Sequence, residues 1–301
     1  MLSYQHEYHA GNFAYVLKHW VLQLCLDSLN RKEAPWTYFD THAGDGRYVL
    51  REGKAAVTGE WQSGIGRLWD RRQDGPPALH SYVQAVASCN PGGALEVYPG
   101  SPMLAALALR AQDQAVLCEL HPRAFPNLRH ALAAWPLAGV HQRDGFEGVL
   151  ALVPPPSGRG LVLIDPSYEL KADFQRIPQW AAKALRRWRQ MTLLVWYPVL
   201  GESPHEDMVA ALAAPEGASA DKGVSWVRVE LRRREGTLSR EGAAVSRTKA
   251  APTLQATRTG LQGCGMLILN PPWQLDARIE EGLHWLAEVL LCDGRLTQHL
   301  F

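Results

Sequence analysis

The sequence lacks several things that would each have announced a function. It has no excess of charge: 31 Lys and Arg face 30 Asp and Glu over 301 residues, so no global basicity points to a nucleic-acid partner. Cysteine is scarce, odd in number and scattered (Cys25, Cys89, Cys118, Cys264, Cys292), with no Cys-x-x-Cys pair. That excludes a disulfide scaffold, argues against a zinc site and fits a reducing compartment. No apolar run approaches the ~18 residues of a spanning helix. The opening Met1-Leu-Ser-Tyr-Gln-His lacks the basic-then-apolar layout of a leader peptide. The expectations are a cytoplasmic protein without membrane contact. His6-x-x-His9 has no cysteine or carboxylate cluster around it, so no metal is expected.

What is there is an alternation of apolar runs and helical periodicity, at 47% hydrophobic content. It centres on Gly160-Leu-Val-Leu-Ile-Asp165-Pro-Ser-Tyr168. Leu161 to Ile164 reads as a buried strand of a parallel sheet. Pro166 ends the ladder and holds Asp165 extended at the strand's C-terminal edge, where open α/β sheets bind ligands. An acid, the Pro166 carbonyl and the Tyr168 ring suit a planar ring with an exocyclic amine. Equally, a strand end with a capping Asp explains these residues.

The flanking chain supplies context. Asn12 caps a helix to about Leu29, and Trp36 to Phe39 is a first strand. Asp40-Thr-His-Ala-Gly44-Asp-Gly46 is a turn that brings backbone close to a nucleotide-like ligand, although the missing third glycine disfavours a dinucleotide enzyme. Residues 50–98 break the rhythm and read as a small helical insertion. Ser101 and Pro102 suit the N-cap and first position of the next helix. A second strand, Ala115 to Cys118, leads into Glu119, where nucleotide-binding folds hold a ribose. A third, Gly139 to Arg143, leads into Asp144-Gly145. Helix Trp180–Arg189, strand Thr192–Pro198, helix Pro204–Ala213, strand Val224–Leu231, strand Met266–Asn270 and helix Leu275–Leu291 follow. Residues 222–260 hold nine Lys and Arg against three Glu, a local footprint suited to phosphate backbone.

In this order the glycine turn, Glu119, Asp144 and Asp165 look like a Rossmann-type S-adenosylmethionine methyltransferase. Gly44 would lie against the methionine part. The resemblance narrows further. Tyr4-x-His6-x-x-His9-Ala-Gly-Asn12, Leu17-Lys18-His19, Asp40-Thr-His-Ala-Gly, Tyr98-Pro-Gly-Ser-Pro102, Glu119-Leu-His-Pro122, Asp144-Gly-Phe146, Trp196-Tyr-Pro198 and Asn270-Pro-Pro-Trp273 resemble the RlmJ family, which methylates adenine N6 in 23S ribosomal RNA. That resemblance implies a single class I methyltransferase domain over 1–301. Its sheet would be seven-stranded and mostly parallel, with the 50–98 insertion. It implies S-adenosylmethionine contacts at His19, His42, Ser101, Glu119, Asp144, Gly145 and Asp165, and catalysis by Asp165 with Pro166 and Tyr168. It also implies substrate contacts at Tyr4, His6, Lys18 and Tyr168. The partner would be 23S RNA before or early in assembly, and the protein a monomer. Two alternatives stay open: action on DNA, and a non-catalytic RNA-binding protein.

Two departures stand out. The family's Asp-Pro-Pro-Tyr is here Asp165-Pro-Ser167-Tyr168, and the basic stretch after Arg234 is long. Asn270-Pro-Pro-Trp273 matches the amino-methyltransferase string better than Asp165-Pro-Ser-Tyr168 does. It falls on the last strand, however, so catalysis is assigned to Asp165.

Overall fold

The computed structural model describes residues 6–213, 224–233 and 261–299. In chain order the elements begin with helix α1 (Phe13–Asn30), strands β1 (Thr37–Asp40) and β2 (Arg47–Val49), and helices α2 (Gly53–Thr58), α3 (Ile65–Asp70) and α4 (Pro77–Ser88). β3 (Val97–Pro99), α5 (Ser101–Ala108), β4 (Gln114–Cys118), α6 (Ala124–Ala131), β5 (Ala138–His141) and α7 (Gly145–Leu152) come next. The chain continues through β6 (Gly160–Ile164), α8 (Asp173–Arg187), β7 (Thr192–Val199) and α9 (Pro204–Ala213). β8 (Trp226–Arg233), β9 (Gly263–Leu269), α10 (Leu275–Val289) and β10 (Cys292–His299) complete it.

The main sheet has eight strands in the order β10-β8-β9-β7-β6-β1-β4-β5. β5, β4, β1, β6 and β7 are mutually parallel, and β9, β8 and β10 add antiparallel pairs. The sheet therefore exceeds the expected seven strands by β10. That strand was illegible because Cys-Asp-Gly-Arg-Leu-Thr-Gln-His has no apolar run; it lies on the edge with most side chains exposed.

The parallel strands are apolar on both faces because both faces are covered. Tyr38, Leu161, Leu163, Leu194 and Ile268 face a core shared with α1, α4, α5 and α10. Phe39, Val162, Ile164, Leu193 and Val195 face a second core with Phe146, Trp180 and Met208, from α7, α8 and α9. Burying each such side chain contributes about 1.5–3 kcal/mol, an upper figure because the unfolded chain already hides part of that surface.

Three local expectations can be set against the structure. Asn12 caps α1, its Oδ1 accepting from the Ala14 and Tyr15 amides at 3.0 Å each. Residues 50–98 hold α2, α3, α4 and β3, which pairs with β2 in a separate two-stranded ribbon. α8 starts about two turns earlier than expected: Pro178 lies inside it, in the second turn, where it forgoes the bond to the Phe174 carbonyl, and a proline at that place masks the helix before it.

Candidate active site

The parallel strands deliver Asp40, Glu119, Asp144 and Asp165 to one edge of the sheet. Asp165 follows β6 and is buried. Its Oδ2 accepts from the Lys18 ammonium, which α1 carries into the same dry space. Lys18 itself lies over the Tyr15 ring, 3.9 Å from its centroid, with Trp196 at 5.8 Å. Burial raises the Asp165 carboxyl to about 6; the Lys18 charge opposes that rise and Asp40 adds to it. The structure thus places Lys18, expected at the substrate, directly on the expected catalytic acid.

Asp40 is a member of the site that sequence reasoning did not assign. It is fully buried, and its Oδ2 accepts from Tyr38 Oη and Ser101 Oγ at 2.7 Å each, while Oδ1 takes the His42 amide at 3.1 Å. Burial raises its carboxyl, with these donors opposing. Ser101 therefore does not cap α5: Gly100 holds that position, and the hydroxyl faces the site instead. The available signal was an acid at a strand end, the same one that marked Glu119.

Glu119 is buried, and its two oxygens accept from the Gly44 amide at 2.8 Å and the His121 amide at 2.6 Å. The first bond requires Gly44 in the left-handed region at φ +64°, which glycine adopts without strain. Burial raises the Glu119 carboxyl against the pull of both amides.

Asp144 caps α7, accepting the Glu147 amide at 3.0 Å, and pairs with Arg176 at 3.0 Å. Burial pushes its carboxyl up, but the Glu147 amide and the Arg176 guanidinium outweigh it and hold the group below the ordinary value. Gly145 must be glycine, since a Cβ there would stand 1.9 Å from the Thr41 carbonyl. His42 turns its ring edge to Phe146 at 5.3 Å, and burial lowers its pKa to about 4, so it is neutral. His19 stacks on Tyr98, and its Nδ1 is 2.9 Å from that hydroxyl, which in turn meets Tyr82 at 2.9 Å.

Tyr168 is 5% exposed at φ +54°, an uncommon conformation for a non-glycine residue. Its hydroxyl donates to the Trp196 carbonyl and its ring lies 4.6 Å from Phe174. Tyr4 and the side chain of His6 lie outside the described residues, as does 234–260 of the basic stretch.

Asn270-Pro-Pro-Trp273 is at the opposite edge. β9 runs antiparallel to β7, with Leu269 beside Leu193 near the start of that strand. Asn270 Nδ2 donates to the Arg189 and Met191 carbonyls at 2.8 and 2.9 Å. Its task is to hold a loop, far from Asp165.

Among the described residues a further cluster brings His205, Glu206 and Glu230 together. Arg228 spans it, donating to both Glu206 oxygens at 2.7 and 2.8 Å and to Glu230 at 2.6 Å. The guanidinium already fills the place of a cation.

Comparison with known proteins agrees with this architecture. A family model described as "Ribosomal RNA large subunit methyltransferase D, RlmJ" matches residues 33–234. The "Ribosomal RNA large subunit methyltransferase J" of Escherichia coli (strain K12) is 38% identical over 295 residues, spanning 98% of this chain and 96% of that protein. The protein of the same name from Haemophilus influenzae Rd is 38% identical over 296 residues, with the same coverage. A crystal structure of a Legionella pneumophila str. Philadelphia 1 protein superposes with a TM-score of 0.80 at 31% identity, covering 96% of this chain and 98% of that one. A strand-end site on a class I methyltransferase sheet, together with relatives matched over nearly their whole length, makes this chain a member of the RlmJ family of ribosomal RNA large subunit methyltransferases.

Proposed function

We infer that this protein transfers a methyl group from S-adenosylmethionine to the N6 amine of one adenine in 23S ribosomal RNA. The observation that carries the reading is Asp165: a buried carboxyl at the carboxyl edge of the central parallel strands, with one oxygen on Lys18. The whole chain reads as one methyltransferase domain, with 50–98 as its helical insertion.

The cleft suits a nucleoside-bearing methyl donor. Gly44, at positive φ, and Gly145, with no room for a side chain, bring backbone to its surface, and Glu119 offers an acceptor to vicinal hydroxyls. Asp144 and Gly145 suit an adenine edge. His19, His42 and Ser101 complete the wall, Ser101 through Asp40. When bound, the cofactor supplies an electrophilic methyl on a sulfonium.

The chain's residues then have separable roles. With Oδ2 held by Lys18, Asp165 Oδ1 accepts one N6–H, and the Pro166 carbonyl accepts the other. Two acceptors localise the amine lone pair on nitrogen and aim it, which is positioning and electrostatic stabilisation without a covalent enzyme intermediate. With the methyl supplied by the bound cofactor, the surplus N6 proton would pass to Asp165 or to water. Tyr168 anchors the turn. For its ring to stack on a base, the bond to Trp196 must open, so acceptor entry is coupled to a shift of residues 166–168. A base within a helix must be flipped to reach this depth, which favours RNA before or early in assembly. Tyr4 and His6 would close over the base, and the protein would act as a monomer in the cytoplasm.

The test is incubation of the protein with labelled S-adenosylmethionine and unmodified 23S RNA, duplex DNA or intact large subunits, followed by nucleotide mapping. One N6-methyladenine in free RNA supports the reading. Label only in DNA, or tight RNA binding without label, overturns it.

A further inference from the structure

Two features outside the strand-end site converge on one place. The first is charge. From Phe174 to Gly201 the sequence contains Arg176, Lys183, Arg186, Arg187 and Arg189 and no acid. α8 buries Phe174, Ile177, Trp180, Ala181, Ala184 and Leu185. At ~100° per residue, Arg176, Lys183 and Arg187 then fall on one line along the margin of this buried face, next to Trp180, and Arg186 lies on the outward face. This line starts one short segment after the acceptor turn and runs down the flank for about 16 Å, at 1.5 Å per residue. Arg176 is paired to Asp144, and Arg187 donates to the Leu150 carbonyl. Lys183, Arg186 and Arg189 are exposed.

The second feature is Trp273, which is 82% exposed, the most exposed large apolar side chain among the described residues. It stands on a turn built not to yield. Pro271 and Pro272 precede it, and Asn270 and Gln274 on either side adopt φ +50° and +59°, the left-handed region. The Asn270 side chain ties this turn to the carbonyls of Arg189 and Met191, where the basic line ends. Thr192 Oγ1 adds a bond to the Asn270 carbonyl at 2.9 Å. Backbone in sparsely populated conformations persists where its surroundings over-determine it, and such places concentrate at ligand contacts. A solvent-facing indole on a turn tied to the basic end of α8 is a combination suited to single-stranded nucleic acid, with a base on the ring and phosphates on the cations.

We propose that the basic flank of α8 and Trp273 form a second RNA-binding surface, leading from the acceptor cleft to the opposite edge of the sheet. Lys183, Arg186 and Arg189 contact phosphates there, and an unpaired base stacks on Trp273. An exposed Trp alone would fit a protein partner equally well. Arg176 is matched by Asp144, but Lys183, Arg186 and Arg187 meet no acid in an ion pair among the described residues, and that surplus of positive charge selects a polyanion. The proposal rests on the reading of the substrate as RNA and gives the RNA a path of contact well beyond the target adenine.

The test measures binding of unmodified 23S RNA transcript across a salt series. Lys183→Gln/Arg186→Gln/Arg189→Gln is expected to weaken binding about tenfold or more and to flatten the log K against log[salt] slope by about two, since each phosphate contact contributes ~0.7–0.9. Trp273→Ala is expected to weaken binding five- to thirtyfold at unchanged slope, and Trp273→Phe to keep most of the affinity. Binding of S-adenosylhomocysteine and melting temperature serve as fold controls. Wild-type RNA affinity and slope in these variants would overturn the proposal. So would a Trp273→Ala variant that binds RNA normally but loses self-association in sedimentation. A wild-type protein that neither binds nor methylates 23S RNA removes the functional reading itself, which is a different result.

Discussion

Two turns of this chain share a string and nothing else. Asp165-Pro-Ser-Tyr168 and Asn270-Pro-Pro-Trp273 each end a buried strand with an Asx residue, a proline and an aromatic. β6 runs parallel to its neighbours and β9 antiparallel to β7, so the turns leave opposite edges of the sheet. The acid of the first meets a buried ammonium; the amide of the second meets two backbone carbonyls. Tyr168 turns inward and is packed on Phe174, whereas Trp273 points to solvent. Strand direction, rather than local sequence, decides which turn reaches the edge where Asp40, Glu119 and Asp144 gather.

Four substitutions would break or sharpen this contrast. The largest effect is expected from Asp165→Ala, which should reduce methyl transfer at least a thousandfold, while Asn270→Ala stays within a few fold of wild type. A single-turnover assay reads both, and comparable losses would erase the distinction.

Next comes Lys18→Met. Burial already lifts the Asp165 carboxyl to about 6 although Lys18 opposes it, and the ionised form is the acceptor, so turnover should fall as pH drops through about 6. Without the ammonium the acid limb should move upward by a unit or more, and a pH–rate profile shows whether it does. The linked stability effect has a definite sign. Against an unfolded value of ~3.9, the native state binds more protons between about pH 4 and 6, so this carboxyl's contribution to stability declines as pH rises through that window. The decline amounts to a few kcal/mol, about 1.4 per unit.

Asn270→Ala should then appear in stability rather than rate. Losing two side-chain bonds and an Asn at positive φ should cost about 1–3 kcal/mol, a fall of several degrees in Tm by calorimetry. The smallest effect is expected from Ser167→Pro, which should change the rate about threefold or less. Asp165, the Pro166 carbonyl and Tyr168 are all retained, and Ser167 makes one weak bond, 3.5 Å from the Glu169 amide.

How much of this was legible depends on the range of each interaction. The parallel strands could be read because a strand buried on both faces is a continuous apolar run, as in Leu161 to Ile164. Glu119 could be placed at the sheet's edge because it follows the apolar Ala115 to Cys118, whereas Asp144 follows a short, half-exposed strand and could be placed only by its order in the alternation. β10 could not, since an edge strand needs no apolar face. The pairing of Lys18 with Asp165 spans 147 positions and that of Ser101 with Asp40 spans 61, and neither leaves a periodicity in the chain. Ser101 looked like a cap because Ser-Pro is a good cap, and only the fold shows which acid its hydroxyl meets. Tyr168 could be named but not oriented: its hydroxyl donates to a carbonyl on β7, the Trp196 carbonyl.

The Glu119 carboxylate has a consequence for how variants of this protein are read. Each of its oxygens takes an amide from a different loop, one after β1 and one after β4. An amide side chain would set an NH2 against one of those two N–H groups, donor facing donor. Position 119 is therefore committed to an acid by the protein's own backbone, before any ribose arrives. Glu119→Gln would unfasten two loops apart from any loss at the proposed ribose contact, and the hydrogen-exchange rate of the Gly44 amide tells those two losses apart.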